Sequence, residues 1–504
     1  MSNPLYDTLF GRHAGSDRTF LRFSDGSTLT YGVFLETAAR IAHVLVARGL
    51  EPGDRMAVQV EKSPEMLALY AGAAQAGVIF LPLNTGYTAG ELDYFVENSG
   101  AKLLVCDSAK RGTLAPMAER LGAGIDTHDA DGSGSLMDSA ASQSTTFETV
   151  SRSADDLAAF LYTSGTTGRS KGAMLTQTNL LSNAETLAAH WRFTDEDVLI
   201  HALPIFHTHG LFVATNVTLV AGGELVFLPK FDLDAILEAM PRATAMMGVP
   251  TFYTRLLDDE RFTKDVASNM RLFVSGSAPL LAETHKRFEE RTGHRILERY
   301  GMTETNMNTS NPYDGERRAG TVGFPLPGVE LKICDPETGD EVPQGEVGQI
   351  EVRGPNVFKG YWQMPEKTAA ELREDGFFIT GDLGQIDEDG YVSIVGRNKD
   401  LIISGGYNIY PKEVEMVLDD QDGVLESAVI GVPHPDFGET VLGVIVPDPG
   451  AEPDLDAMMA ACSEALARFK HPRKLVLQEE LPRNTMGKVQ KAALRERYAE
   501  TFSG

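Results

Sequence analysis

"FLYTSGTTGRSKGAMLT" occupies Phe160–Thr176, and nine of its residues are Ser, Thr or Gly. The run "LAAFLYT" that leads into it reads as a short buried strand, and "GAMLT" at its far end reads as another. A loop held by strands at both ends is not a linker. Glycines at 165, 168 and 172 let backbone N–H groups turn toward one point. The hydroxyls add donors, and Lys171 adds positive charge. Such a concave donor array suits an anion, above all a polyphosphate. It is not a Walker A loop, because Ser170 stands five residues after Gly165 and Gly172 follows Lys171.

Outward from this loop, helical and strand patterns alternate through most of the first 330 residues. "TYGVFLETAARIAHVLVARGL" (30–50) has apolar residues at helical spacing and closes on Gly49. "RMAVQV" reads as a strand, "SPEMLALYAGAAQAGVIFLPLN" as helix then strand, and "AKLLVCD" as a further strand. The alternation predicts α/β layers with much parallel sheet. Residues 131–156 are polar, small and pattern-poor, and read as a surface excursion. From about 320 the texture changes to short strands with turns at Glu337-Thr338-Gly339 and Glu388-Asp389-Gly390, which predicts an antiparallel subdomain. Beyond Arg397, "PKEVEMVLDD", "ESAVIGVP", "ETVLGVIVP" and "LDAMMAACSEALARF" make a small α+β domain.

The chain has 504 residues, too many for one core. Hydrophobic residues make up 42% and charged residues 23%, which is globular composition. A net charge of −27 argues against nucleic acid or an anionic membrane as the partner. An anionic substrate would then need local positive charge. Cys106, Cys334 and Cys462 lie far apart without C-x-x-C spacing, so neither a disulfide framework nor a zinc site is expected. No signal peptide and no transmembrane run is seen, and the expected location is the cytoplasm.

The loop Thr163–Lys171 resembles the signature loop of acyl-adenylate-forming enzymes, which include acyl-CoA synthetases, adenylation domains of peptide synthetases and beetle luciferases. Four further strings resemble the same family: "VSGSAP" (274–279), "ERYGMTET" (298–305), "FFITGDLGQIDEDGYVSIVGRNKD" (377–400) and "PRNTMGKVQK" (482–491). The resemblance implies an α/β fold with a large N-terminal domain of layered sheets plus a β-rich subdomain, and a small mobile α+β C-terminal domain. It places the ATP- and acyl-binding domain at 1–396, a hinge at 397–400 with Lys399, and a lid at 401–504. It implies that Thr163, Ser164, Gly165, Thr166, Thr167, Gly168, Arg169, Ser170 and Lys171 hold the triphosphate. Gly276, Ser277, Ala278, Pro279, Tyr300, Gly301 and Met302 would flank the adenine. Thr303 would touch the α-phosphate and Glu304 would hold Mg²⁺, since a carboxylate beside a triphosphate needs a metal between them. Asp382, read at a strand end, and Arg397 would take the ribose. Lys488 would be the catalytic lysine, bridging the attacking carboxylate and the α-phosphate. Gly405 and Gly406 would leave a narrow channel for the arm of CoA, the thiol co-substrate.

The acyl pocket is where such enzymes differ most. Here Arg299 precedes Tyr300, where many relatives carry a small residue. "MMGVPTFYTRLL" puts Arg255 one turn after Thr251-Phe252, and "LPIFHTHGL" offers His207 on the facing wall. A buried, unpaired guanidinium is strongly unfavourable, so an arginine in the pocket implies an anion there. A second carboxylate on the substrate supplies it, clamped by Arg255 and Arg299. "MGVPTFYTR", "VSGSAPL" and "ERYGMTETNMNTSNPYDGERRAGTVGFPLPGVEL" resemble malonyl-CoA synthetases, which implies malonate, ATP and CoA as small-molecule partners. Methylmalonate or another short acid is the alternative, luciferase-like oxidation of an adenylate a remote one, and a carrier-protein thiol an alternative acceptor. His207-x-His209 lacks a third ligand in view, so zinc is not proposed. The oligomeric state is open.

Overall fold

The computed structural model describes residues 2–163, 170–404, 407–434, 437–484 and 487–502. The chain divides into two compact units, Met1–Glu330 with Val352–Phe378, and Leu331–Glu351 with Ile379–Gly504. The strands read from the turn signals after 320 fall largely in the second unit. The division in packing therefore does not follow the expected division at 397, which concerns motion.

The first unit carries two sheets. One has six strands in the order Gly124–Thr127, Leu103–Cys106, Arg55–Gln59, Ile79–Pro82, Leu157–Thr163 and Lys171–Thr176. All its pairs are parallel except the last, an antiparallel hairpin that carries the phosphate loop. Ile79–Pro82 and Leu103–Cys106 are apolar and buried at every position, as strands of a sheet covered on both faces are. The helix Tyr31–Ala47 starts at a Thr30 cap, whose side chain accepts from Val33 N–H, and the chain turns away at Gly49, φ +83°. It packs so closely on the helix Pro64–Ala76 that a Cβ on Gly72 would lie 2.7 Å from the Ala38 carbonyl oxygen.

The second sheet has nine strands. Its middle is parallel: Leu297–Met302, Leu272–Ser275, Ala245–Gly248, Val198–His201, Glu224–Phe227 and Thr19–Arg22 in that order. Asn306–Ser310 turns back antiparallel on Leu297–Met302, which frees the C-terminal ends of the neighbouring parallel strands for loops. Those loops hold Gly276–Pro279, Thr303 and Glu304, whereas the phosphate loop belongs to the six-stranded sheet. The polar stretch 131–156 contains one short helix, Ser135–Ala140, that the pattern did not disclose.

In the second unit the strands Phe378–Ile386 and Val392–Arg397 pair antiparallel around the turn at Gly390, φ +89°. The C-terminal sheet is built on the long hairpin Val424–His434 with Gly438–Pro447. Its two faces bury separate apolar layers, one under Val414, Leu418 and Met458, the other under Leu494 and Leu481. All three cysteines are buried thiols. Among the described residues no helix is long and apolar enough to cross a membrane.

Candidate active site

Thr163 ends one strand of the hairpin and Lys171 opens the next. Ser164, Gly165, Thr166, Thr167, Gly168 and Arg169 lie outside the described residues. The Ser170 carbonyl accepts the Tyr94 hydroxyl at 2.8 Å, which ties the loop's far end to the helix Ala89–Ser99. Gly172 serves a different need from the one expected. It lies within the strand, where a Cβ would come 2.2 Å from the buried Phe160 ring, so it gives room rather than a turn. The Lys171 ammonium sits 3.4 Å from a Glu371 oxygen and 4.1 Å from the centroid of the Tyr361 ring.

"ERYGMTET" forms the end of a strand and a turn. Tyr300 pairs with Thr309 across the hairpin, and a Cβ on Gly301 would fall 1.9 Å from the Asn306 carbonyl. Met302 closes the strand, and Thr303 and Glu304 stand in the turn that follows. Glu304 is buried, and burial pushes its carboxyl above the usual carboxylate range. Its Oε1 accepts the Tyr361 hydroxyl at 2.9 Å and the Thr163 hydroxyl at 3.4 Å. A carboxylate made costly by burial is relieved by a cation beside it, so the donor set fits Mg²⁺.

The acyl wall forms around Arg299. Parallel pairing of Ser275 with Glu298 brings the turn at Gly276 beside Arg299. A Cβ on Gly276 would lie 2.3 Å from the guanidinium carbon. Arg299 is 4% exposed, and its Nε and Nη2 have no hydrogen-bond partner among the described residues. Burial pushes its pKa down to about 9. Glu298 does not answer it: that carboxylate points to the other face of the strand, toward His285 Nδ1 at 3.3 Å. Ser277, held at φ +72°, brings its hydroxyl 3.2 Å from His209 Nδ1. Ala278 and Pro279 complete the turn. Burial, with Arg299 and His207 charges nearby, holds His209 well below the ordinary histidine range, so it is neutral at pH 7.

Arg255 departs from the expectation. It lies in the last turn of the helix Pro250–Leu257, is exposed, and stacks its guanidinium 5.4 Å from the Phe231 ring centroid. The premise of a second buried guanidinium fails, because one turn from Phe252 falls on the solvent side of that short helix. A clamp of two arginines reduces to Arg299 with the neighbours that sequence reasoning did not weigh for it, Ser277 and His209.

Four expected residues lie in the second unit. Asp382 sits inside the strand Phe378–Ile386 rather than at its end, opposite Arg397, whose Nε is 3.1 Å from Asp382 Oδ1. Lys399 occupies a short 3-10 turn, Asn398–Asp400, and burial lowers its pKa. Lys488 follows Gly487, φ +74°, in a tight turn in which Lys488 N–H donates to Asn484 Oδ1 and its carbonyl accepts Asn484 N–H, both at 2.9 Å. Gly405 and Gly406 lie outside the described residues.

Strand ends and loops that carry a buried carboxylate, a lysine and a guanidinium open at Nε and Nη2 among the described residues have the chemistry to take a polyphosphate and an anionic acid. Residues 11–362 match the AMP-binding enzyme family, and 413–488 match the AMP-binding enzyme C-terminal domain. The chain belongs to the AMP-binding enzyme family. Within it, the chain is 58% identical to ATP-bound MatB from Rhodopseudomonas palustris, with each chain fully covered and a TM-score of 0.97. It is 35% identical to a malonate–CoA ligase of Arabidopsis thaliana over 94% of this chain and 85% of that protein. It is also 36% identical to a feruloyl-CoA synthase of an Amycolatopsis species over 94% of both. Tyr361 and Glu371, which meet Lys171 and Glu304, had no local signal. Lys171 and Glu371 stand 200 positions apart and meet only through folding.

Proposed function

We propose that the chain is an ATP-dependent acid–thiol ligase that activates malonate as malonyl-AMP and transfers the malonyl group to CoA, releasing AMP and pyrophosphate. The buried guanidinium of Arg299, unanswered at Nε and Nη2 among the described residues, carries the choice of acid. A neutral acid would leave that cation unpaired in a buried wall, at a cost of about 3–5 kcal/mol, whereas the distal carboxylate of malonate pairs with it. Ferulate has no second carboxylate to offer. His207 and Ser277 flank the same wall. Methylmalonate is the closest competitor, since one methyl group discriminates by only about 1–3 kcal/mol.

In the first step a carboxylate oxygen of the acid attacks the α-phosphorus of ATP, and the bond from that phosphorus to the bridging oxygen of pyrophosphate breaks. Residues 163–171 bind the leaving phosphates, Thr303 meets the α-phosphate, and Lys488 carries positive charge to the attacking and α-phosphate oxygens. Glu304 would hold Mg²⁺, which when bound neutralises triphosphate charge. Gly276–Pro279, Tyr300, Gly301 and Met302 orient the adenine, and Asp382 with Arg397 takes the ribose. In the second step the CoA thiolate attacks the acyl carbon and AMP leaves. Lys488 and the thiol arm need the same approach to the acyl group at different times. The domains 1–396 and 401–504 therefore turn about 397–400, with Lys399 as the pivot and Gly405-Gly406 giving the arm its channel. The reaction runs in the cytoplasm on small molecules, with no nucleic acid or membrane partner.

Pyrophosphate release over a panel of acids, with and without CoA, tests this. Malonate is expected to lead acetate, propionate and butyrate by several orders of magnitude, and CoA to raise turnover. Arg299→Ala is expected to reverse malonate over butyrate. Malonate no better than butyrate in the unaltered chain would sink the assignment.

A further inference from the structure

Glu304 and Lys171 are held by one side chain. Tyr361 donates its hydroxyl to Glu304 Oε1 at 2.9 Å, and its ring face carries the Lys171 ammonium 4.1 Å from the centroid. The Thr163 hydroxyl goes to the same oxygen, Oε1. Backbone pairing fixes this placement from both directions. Lys359 N–H donates to the Met174 carbonyl at 2.9 Å, Met174 N–H to Gly360 at 3.0 Å and Trp362 N–H to Gly172 at 2.8 Å. Phe358 N–H donates to the Glu304 carbonyl at 2.8 Å. Segment 358–362 is therefore laced to the strand that begins with Lys171 and to the turn that bears Glu304. From the other side Glu371 meets Lys171 at 3.4 Å and Lys367 at 2.6 Å.

We infer that Tyr361 is a positioning residue that sets the spacing between the Mg²⁺ carboxylate and the phosphate-binding lysine, its hydroxyl aiming one and its ring seating the other. The inference rests on the proposed roles of Glu304 and Lys171. Two hydroxyls on Oε1 orient the carboxylate and leave Oε2 to a cation. Hydrogen-bond partners of that kind set the geometry of a metal ligand, and losing one costs about 10–100-fold in affinity. The ring is a separate function, because an ammonium over an aromatic face stays attracted without a hydroxyl. Tyrosine is the residue that supplies both. If Tyr361 were only a packed core residue against Phe358, the hydroxyl would be dispensable for nucleotide binding.

The test measures binding of ATP to the full chain by calorimetry, without malonate or CoA so that no turnover occurs, with Mg²⁺ and separately with EDTA. Y361F keeps the ring and its packing. It is expected to weaken MgATP about 10–100-fold, leave ATP in EDTA within about threefold, and keep the thermal midpoint of the nucleotide-free chain within about 2 °C. Y361L, which removes the ring too, is expected to weaken ATP in EDTA as well. The hydroxyl also faces Glu371, but in the E304Q background Y361F is expected to add no further Mg²⁺-dependent loss, because that part of its effect runs through Glu304. Unchanged MgATP binding in Y361F, equal losses with and without Mg²⁺, or additivity with E304Q would overturn the inference alone. Normal MgATP binding in E304Q would overturn the role of Glu304 and the inference with it.

Discussion

Gly276 and Arg299 touch: a Cβ on Gly276 would lie 2.3 Å from the guanidinium carbon and 2.5 Å from Nη1. The absent side chain is what lets a guanidinium approach the turn that begins at Gly276. Gly276→Ala is expected to fold, because the obstructing atoms end a flexible side chain, but the buried wall gives Arg299 little alternative space. The kcat/KM for malonate is expected to fall at least tenfold with a much smaller fall for butyrate, which pyrophosphate-release kinetics on both acids would check. Equal losses for the two acids would mean that the turn, rather than Arg299, was disturbed.

The parts of this site legible in the sequence are those built from contiguous residues. The 163–171 loop, the turn 274–279 and the strand end 298–305 each appear as one string, and local pattern places them at strand ends. Arg299 stands out because it directly precedes Tyr300, where many relatives carry a small residue. Arg255 misled because spacing on a helix fixes neighbours along the helix and leaves open which face meets solvent. His209 was weighed only as a metal ligand, whereas its surroundings make it a neutral pocket histidine. Tyr361 and Glu371 were illegible because their partners arise through strand pairing between distant segments. The strands after 320 were recognisable from their turns, but turns do not say which core a strand joins.

Lys488→Ala is expected to lower malonyl-AMP formation by about 10²–10³-fold, the loss typical of removing one group that stabilises transition-state charge. Transfer from presynthesised malonyl-AMP to CoA is expected to persist. The bonds between Asn484 and Lys488 use the lysine's backbone N–H and carbonyl, which the truncation keeps. Single-turnover assays of the two half-reactions decide the matter; equal losses in both would contradict a moving lysine.

Lys399→Pro is expected to do the opposite. Lys399 lies in one 3-10 turn, Asn398–Asp400, whose Leu401 N–H donates to Asn398 at 3.2 Å. Proline would fix φ at 399 and restrict Asn398 as well, which removes the torsional freedom a pivot needs. Adenylation is expected to stay within about threefold while CoA-dependent turnover drops at least tenfold. Unaltered overall turnover would place the pivot elsewhere.

Asp419 gives the second unit a pH dependence of stability that its neighbours define. Its carboxylate is largely buried, accepts the Ser427 hydroxyl at 2.7 Å and lies 3.7 Å from the Lys412 ammonium. Burial outweighs both and pushes its pKa up to about 6 from 3.8. Because the folded state binds this proton more tightly than the unfolded chain, stability falls as pH rises through about 4 to 6 and stays lower above it. At about 1.4 kcal/mol per unit, the shift amounts to about 1–3 kcal/mol. Asp419→Asn keeps an acceptor for Ser427 and carries no charge, so it is expected to stabilise the unit at pH 7 and to make little difference at pH 4. The many other acids of a chain with net charge −27 also respond to pH. The quantity to follow is therefore the difference between variant and unaltered chain, read by hydrogen exchange of residues 411–447 in the full protein at pH 5, 6 and 7. A variant less protected than the unaltered chain at pH 7 would mean that the Lys412–Asp419 attraction exceeds the cost of burial.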